Sequence, residues 1–145
     1  MKITKRITLT VIVLALMLAV VLGLVACGAK PVQIRDSEII LTYDKDVMAD
    51  IENKTLLDYM NALQEKELLT FSAPGGFVVT MNDRTPDATK GEYWFIYTDD
   101  EDYSNEAWGT YEIEGKTYKS ATKGISELPI KEGKSYIFVI SVYEA

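Results

Sequence analysis

The sequence predicts an α+β domain: a mostly antiparallel β-sheet with one packed α-helix, preceded by an apolar signal helix. Three observations carry this. A single stretch, residues 56 to 67, places apolar side chains at helical spacing. Several short runs rich in Ile, Val, Thr and aromatic residues follow one another with turn residues between them and no further helix. An uncharged run opens the chain behind a basic head.

That opening run, residues 7 to 26, follows Lys2, Lys5 and Arg6, the layout of an export signal. About 20 apolar residues also suffice to span a bilayer as a helix, so length alone leaves a transmembrane anchor open. The end of the run separates the two. Leu24-Val25-Ala26-Cys27 resembles a bacterial lipobox, in which a small residue admits the peptidase and the thiol accepts a diacylglycerol. Residues 1–26 are therefore expected to be a lipoprotein signal peptide, and Cys27, the sole cysteine, the lipidated first residue of the mature chain. Acyl chains such as palmitate then hold the protein on the membrane, because two or more bind far more durably than one. Either reading puts the rest of the chain on the extracytoplasmic face, since the basic head stays inside.

Residues 27–36 read as a lipidated tether without apolar periodicity, and 37–145 as one folded domain. EIILTY, residues 38 to 43, is the first expected strand. A second helical turn is expected over 46 to 53. Thr55 and Asp58 then form a capping-box-like start for the main helix, whose Leu56, Tyr59, Met60 and Leu63 share one face. Strands are expected at 69–72 and, after Pro74-Gly75-Gly76, at 77–81. YWFIYT, residues 93 to 98, is apolar on both faces, as a central strand is. Residues 110–114 and 116–120 form a hairpin turning at Glu114-Gly115. The last strand, 135–143, is again apolar on both faces, with Tyr136, Phe138, Ile140 and Val142 on one side and Ile137, Val139 and Tyr143 on the other.

Composition narrows the chemistry. The chain carries 15 basic and 22 acidic residues; without the three bases of the head, the remainder holds twelve against twenty-two, a net charge of −10. Such a surface disfavours nucleic acid and anionic lipid headgroups as partners. There is no histidine, so histidine-based nucleophilic catalysis and the usual zinc sites are excluded. The carboxylates Glu92, Glu112 and Glu114 offer pairs of the kind that cleave glycosides, but any acidic domain supplies them. No enzyme, cofactor or metal is expected. The acidic run from Asp99 to Asp102 fails as an EF-hand, because from Asp100 the glycine and glutamate positions hold Asn105 and Tyr111. It reads as a solvated loop.

Four segments, TLLDYMNALQEK, GGFVVTMND, GEYWFIYTDD and KGISELPIKEGKSYIFVIS, resemble in that order the carboxy-terminal β-domain of the transcobalamin and intrinsic factor family. The more specific pieces are Gly124 to Leu128 followed by Lys131-Glu132-Gly133, and the pair Tyr93-Trp94 ahead of Tyr97. The resemblance implies a transcobalamin-like, β-grasp-like domain that faces a ligand or partner, here without the helical domain that completes a cobalamin site.

The candidate binding surface is aromatic: Trp94, Tyr97, Trp108, Tyr111 and Tyr118. Large rigid rings supply contact area at low entropic cost, and the same residues equally serve as cross-strand core pairs. The expected function is a membrane-anchored extracytoplasmic binding module for a small ligand, corrinoid-like by the family resemblance alone. The alternative is a protein-protein interaction or structural domain of the cell envelope, with a surface protein as partner and no small ligand.

Overall fold

A computed structural model describes residues 29–143. The signal segment and Cys27 lie outside the described residues. The elements are β1 (Val32–Ile34), β2 (Glu38–Thr42), α1 (Leu56–Glu65), β3 (Phe71–Ser72), β4 (Thr80–Met81), β5 (Glu92–Thr98), β6 (Ser104–Ile113), β7 (Lys116–Ala121) and β8 (Ser135–Val142). Six strands form one sheet in the order β1-β2-β8-β5-β7-β6, and β3 pairs with β4 in a small ribbon. Every one of these pairings is antiparallel. The architecture is α+β, one helix on a mostly antiparallel sheet.

The two strands that read as apolar on both faces are interior: β8 lies between β2 and β5, and β5 between β8 and β7. One face meets the helix. Leu56, Tyr59, Met60 and Leu63 pack there with Ile39, Leu41, Tyr136 and Phe138, and with Trp94 and Ile96 at the margin. The other face holds a second cluster of Ile40, Tyr97, Ile137 and Val139, covered by Phe95, Tyr111, Ile113 and Tyr118. The split follows the period of two in β5 and β8.

Helix α1 begins as its sequence predicts. The Thr55 hydroxyl accepts from the Asp58 N–H at 3.3 Å, and the Asp58 carboxylate accepts from the Thr55 N–H at 2.8 Å. That hydrogen bond, with Thr55 the largest influence, holds the Asp58 carboxyl below its ordinary range. The hairpin also turns where expected. Glu114 and Gly115 both have positive φ, 51° and 80°, between the paired Ile113 and Lys116. This is the two-residue geometry whose twist matches its strands.

Four expectations are corrected. Residues 32–34, read as tether, form β1, with Val32 opposite Leu41. The segment 46–53 makes isolated turns instead of a helical turn, because Asp44 and Asp50 side chains accept from the amides two residues on and compete with helical bonding. The strand expected at 77–81 shortens to Thr80–Met81, since Phe77 leaves a tight 3-10 turn at Pro74–Gly76 pointing away from any partner strand. The acidic run is not simply solvated. Asp99 accepts from the Ser135 amide at 2.8 Å and pairs with Lys116, while Asp100, almost fully buried, pairs with Lys131 at 2.8 Å. No cluster of metal-binding side chains occurs among the described residues.

Candidate aromatic groove at an open strand edge

Strand β5 is paired along its whole length on one side and hardly at all on the other. With β8 the register runs from Glu92 opposite Val142 to Thr98 opposite Tyr136. With β7 it includes Tyr97 opposite Ser120 and Thr98 opposite Lys119, and nothing toward the amino end of β5. Past Ala121 the β7 chain turns away, and an open groove of about 530 Å³ fills the wedge.

Aromatic side chains surround this wedge on both faces of the sheet. On the face away from the helix, four residues of β6 between Asn105 and Thr110 have no partner on β7. This long bulge is organised by two polar side chains: Asn105 Oδ1 accepts from the Ala107 amide at 2.9 Å, and Ser120 Oγ accepts from the Trp108 amide at 3.2 Å. The bulge carries the Trp108 ring to Tyr143 just past β8, with ring centres 5.7 Å apart. On the helix side, Phe77 faces Trp94, Ile96 and Gly124 across a smaller adjoining cavity of about 170 Å³. Gly76 makes that wall possible. A Cβ at Gly76 would lie 2.1 Å from Ser126 Oγ, and its φ of 83° is strained for any side chain.

The rings are open to solvent to an unusual degree. Phe77 is 75% exposed, Trp108 56%, and Tyr93 and Tyr143 45% each. Trp94 borders both cavities, and its buried indole nitrogen has no hydrogen-bond partner among the described residues. Among the described residues, the groove lining carries one charged side chain, Lys123, and no carboxylate.

Of the five aromatic residues singled out in the sequence, the structure brings Trp94 and Trp108 together at this groove. It places Tyr97, Tyr111 and Tyr118 elsewhere, in the second core. There Tyr97 is 7% exposed and stacks on Tyr111 with centres 5.5 Å apart. The Tyr111 hydroxyl donates to Glu38 at 3.0 Å, and Arg35 of the β1–β2 turn meets Glu114 at 3.2 Å. These contacts join β2 to β6 although three strands separate them, so the sheet curls over Tyr97, with Tyr111 and Tyr118 half-buried as its cover. Burial raises the phenols of Tyr97 and Tyr111, and the Ser37 hydroxyl, the largest influence on Glu38, lowers that carboxyl. This is packing chemistry.

Sequence reasoning missed Phe77, Tyr93 and Tyr143. A signal existed for the faces: residues three apart in a strand, such as Trp94 and Tyr97, point to opposite sides. Comparison with known proteins gives no match to any family model, to any curated protein or to any solved structure.

Proposed function

We propose that this chain is a membrane-tethered binding module of the extracytoplasmic face and that the aromatic groove beside β5 is its ligand site. The convergence of four exposed rings, Phe77, Tyr93, Trp108 and Tyr143, around one open groove supports this reading most directly. Folded chains rarely leave contiguous large apolar groups in water without a partner for them. A volume of about 530 Å³ falls within the roughly 300–1,000 Å³ of ordinary ligand pockets. The described lining is dominated by apolar and aromatic side chains with one charged residue, a surface suited to gripping a ligand.

The tether rests on Cys27: Cys27→Ser is expected to abolish incorporation of labelled palmitate. The binding reading is tested by titration calorimetry of the full chain in detergent micelles. The probes are cobalamin and its corrinoid precursors, which the family resemblance suggests, together with soluble glycans and linear peptides. Saturable heat that is lost in Trp108→Ala, with the fold intact by circular dichroism, is the expected result. No heat with any of the probes would remove the reading.

A further inference from the structure

We infer that the groove takes an extended polypeptide segment of low charge, which adds as a strand to the open edge of β5. The inference rests on the proposed binding role of the groove and goes beyond it in naming the class of ligand.

The hydrogen-bond phase of β5 carries the first step. The Tyr143 amide donates to the Gly91 carbonyl at 2.8 Å, so Gly91, Tyr93, Phe95 and Tyr97 direct their backbone groups toward β8. Glu92, Trp94, Ile96 and Thr98 therefore direct theirs the other way. Thr98 meets Lys119 of β7, and the Glu92 N–H donates to the Asp87 carbonyl at 3.1 Å. Opposite Trp94, where the β5–β7 register has ended, no strand stands among the described residues, and its N–H and C=O face the groove. An extended chain pairs with them directly.

The side-chain pattern agrees. A strand inserted beside β5 sends successive side chains to opposite faces. Aromatic partners wait on both: Trp108 and Tyr143 on one, Phe77 and Trp94 on the other. The buried indole nitrogen of Trp94 lacks an acceptor that a peptide carbonyl can supply.

Charge and position narrow the occupant further. The described lining offers no carboxylate and one cation, Lys123, which is already paired with Glu127 at 3.6 Å, and this suits a segment of low charge. The chain's own amino-terminal segment is poorly placed. The Thr42 amide bonds Pro31 at 3.0 Å beside Ser135, at the opposite end of β8 from Tyr143. Eight residues of β8 span about 26 Å, whereas the four residues from Cys27 to Lys30 reach about 14 Å at most. The groove thus lies beyond the reach of an amino terminus that begins at Cys27.

The test pans a phage library of random linear nine-residue peptides against the full chain in detergent micelles, then synthesises a recovered peptide with single N-methyl groups along its backbone. Binding should fall about tenfold when alternate amides are methylated and change little at those between, as loss of one strand-pairing hydrogen bond to a buried partner implies. Amide exchange by NMR should show Trp94 newly protected, and Trp108→Ala and Phe77→Ala should each weaken binding. A peptide that binds with no protection at Trp94 and no methylation pattern overturns the strand mode while leaving the groove as a site. Failure to recover any peptide, with saturable corrinoid or glycan binding, overturns the peptide class and leaves the binding role standing. Protection that grows with protein concentration alone makes a second copy the occupant and also overturns the inference. Silence from every probe removes both.

Discussion

Replacing Tyr136 by Phe removes one oxygen and unfastens the loop that leads away from the groove wall. Tyr136 is fully buried. Its hydroxyl donates to the Pro129 carbonyl at 2.8 Å and accepts from the Lys131 amide at 2.9 Å. The Phe ring fills the same space, so no cavity term enters. What is lost is two backbone partners, each costing about 1–3 kcal/mol when left unsatisfied away from water. Lys131 lies nearer the surface, so water recovers part of its share, and the expected loss is about 2–3 kcal/mol. Urea unfolding at neutral pH measures it as a lower midpoint with unchanged slope. A second signature tests the cause. Burial, the largest influence, pushes the Tyr136 phenol from 10.0 up to about 12. A raised pKa means that the neutral phenol is favoured by the fold; its contribution is complete below about pH 10 and disappears as pH rises toward 12. That interval corresponds to about 3 kcal/mol at its limit. Stability of the parent chain should therefore decline between pH 10 and 12 more steeply than that of Tyr136→Phe. A loss below about 0.5 kcal/mol at neutral pH, the level of an ordinary surface change, would refute the argument.

The ion pair in the acidic turn gives a second expectation. Lys131→Met leaves the buried Asp100 carboxylate without its partner and should cost about 3 kcal/mol in urea unfolding, while adding Asp100→Asn should restore part of it. Its direction with pH is also fixed: Asp100, the largest influence, raises the Lys131 ammonium, so this contribution too is present below the ordinary lysine range and is lost as pH climbs above it. Thr55→Ala breaks the capping box of α1 and should lower stability by about 1 kcal/mol in the same assay, with the groove's binding unchanged.

The parts of the fold that local pattern specifies were legible. The period of two in 93–98 and 135–143, the capping box and the Glu114-Gly115 turn each act over a few residues. The parts that depend on distant partners were not. Val32–Ile34 carries strand-forming residues in a run of only three, too short to read alone, and becomes a strand because Leu41, Ile40 and Ile39 lie opposite. Ser104 to Trp108 is polar in sequence and is ordered by Ser120. Phe77 sits in an apolar run that looks like a strand, yet it follows the tight turn at Pro74–Gly76 and stands exposed. The groove itself was half legible. Trp94 and Trp108 were visible as aromatic residues in suggestive settings, but Tyr93 and Tyr143 join them only through the pairing of β5 with β8. Tyr111 and Tyr118 face each other across the hairpin, so the Glu114-Gly115 turn, read with its register, already made them a cross-strand pair.

Why β5 stays open follows from the start of the helix. The first four N–H groups of a helix have no partner within it. In α1 the Thr55 and Asp58 amides are met by the reciprocal capping bonds, while the Leu56 amide donates to the Leu128 carbonyl at 2.7 Å and the Leu57 amide to the Ile125 carbonyl at 2.9 Å. Ile125 and Leu128 are also fully buried against the helix. The chain leaving β7 must therefore dive from Ala121 to Ile125 within four residues and cannot continue alongside β5. The same hydrogen bonds that begin the helix pull the neighbouring strand off the sheet. An interior strand is thus left with an edge only a few residues long, too short and too hemmed in by Trp108 and Phe77 to invite indiscriminate pairing. The opening is a consequence of satisfying the helix, and the rings around it limit what can enter.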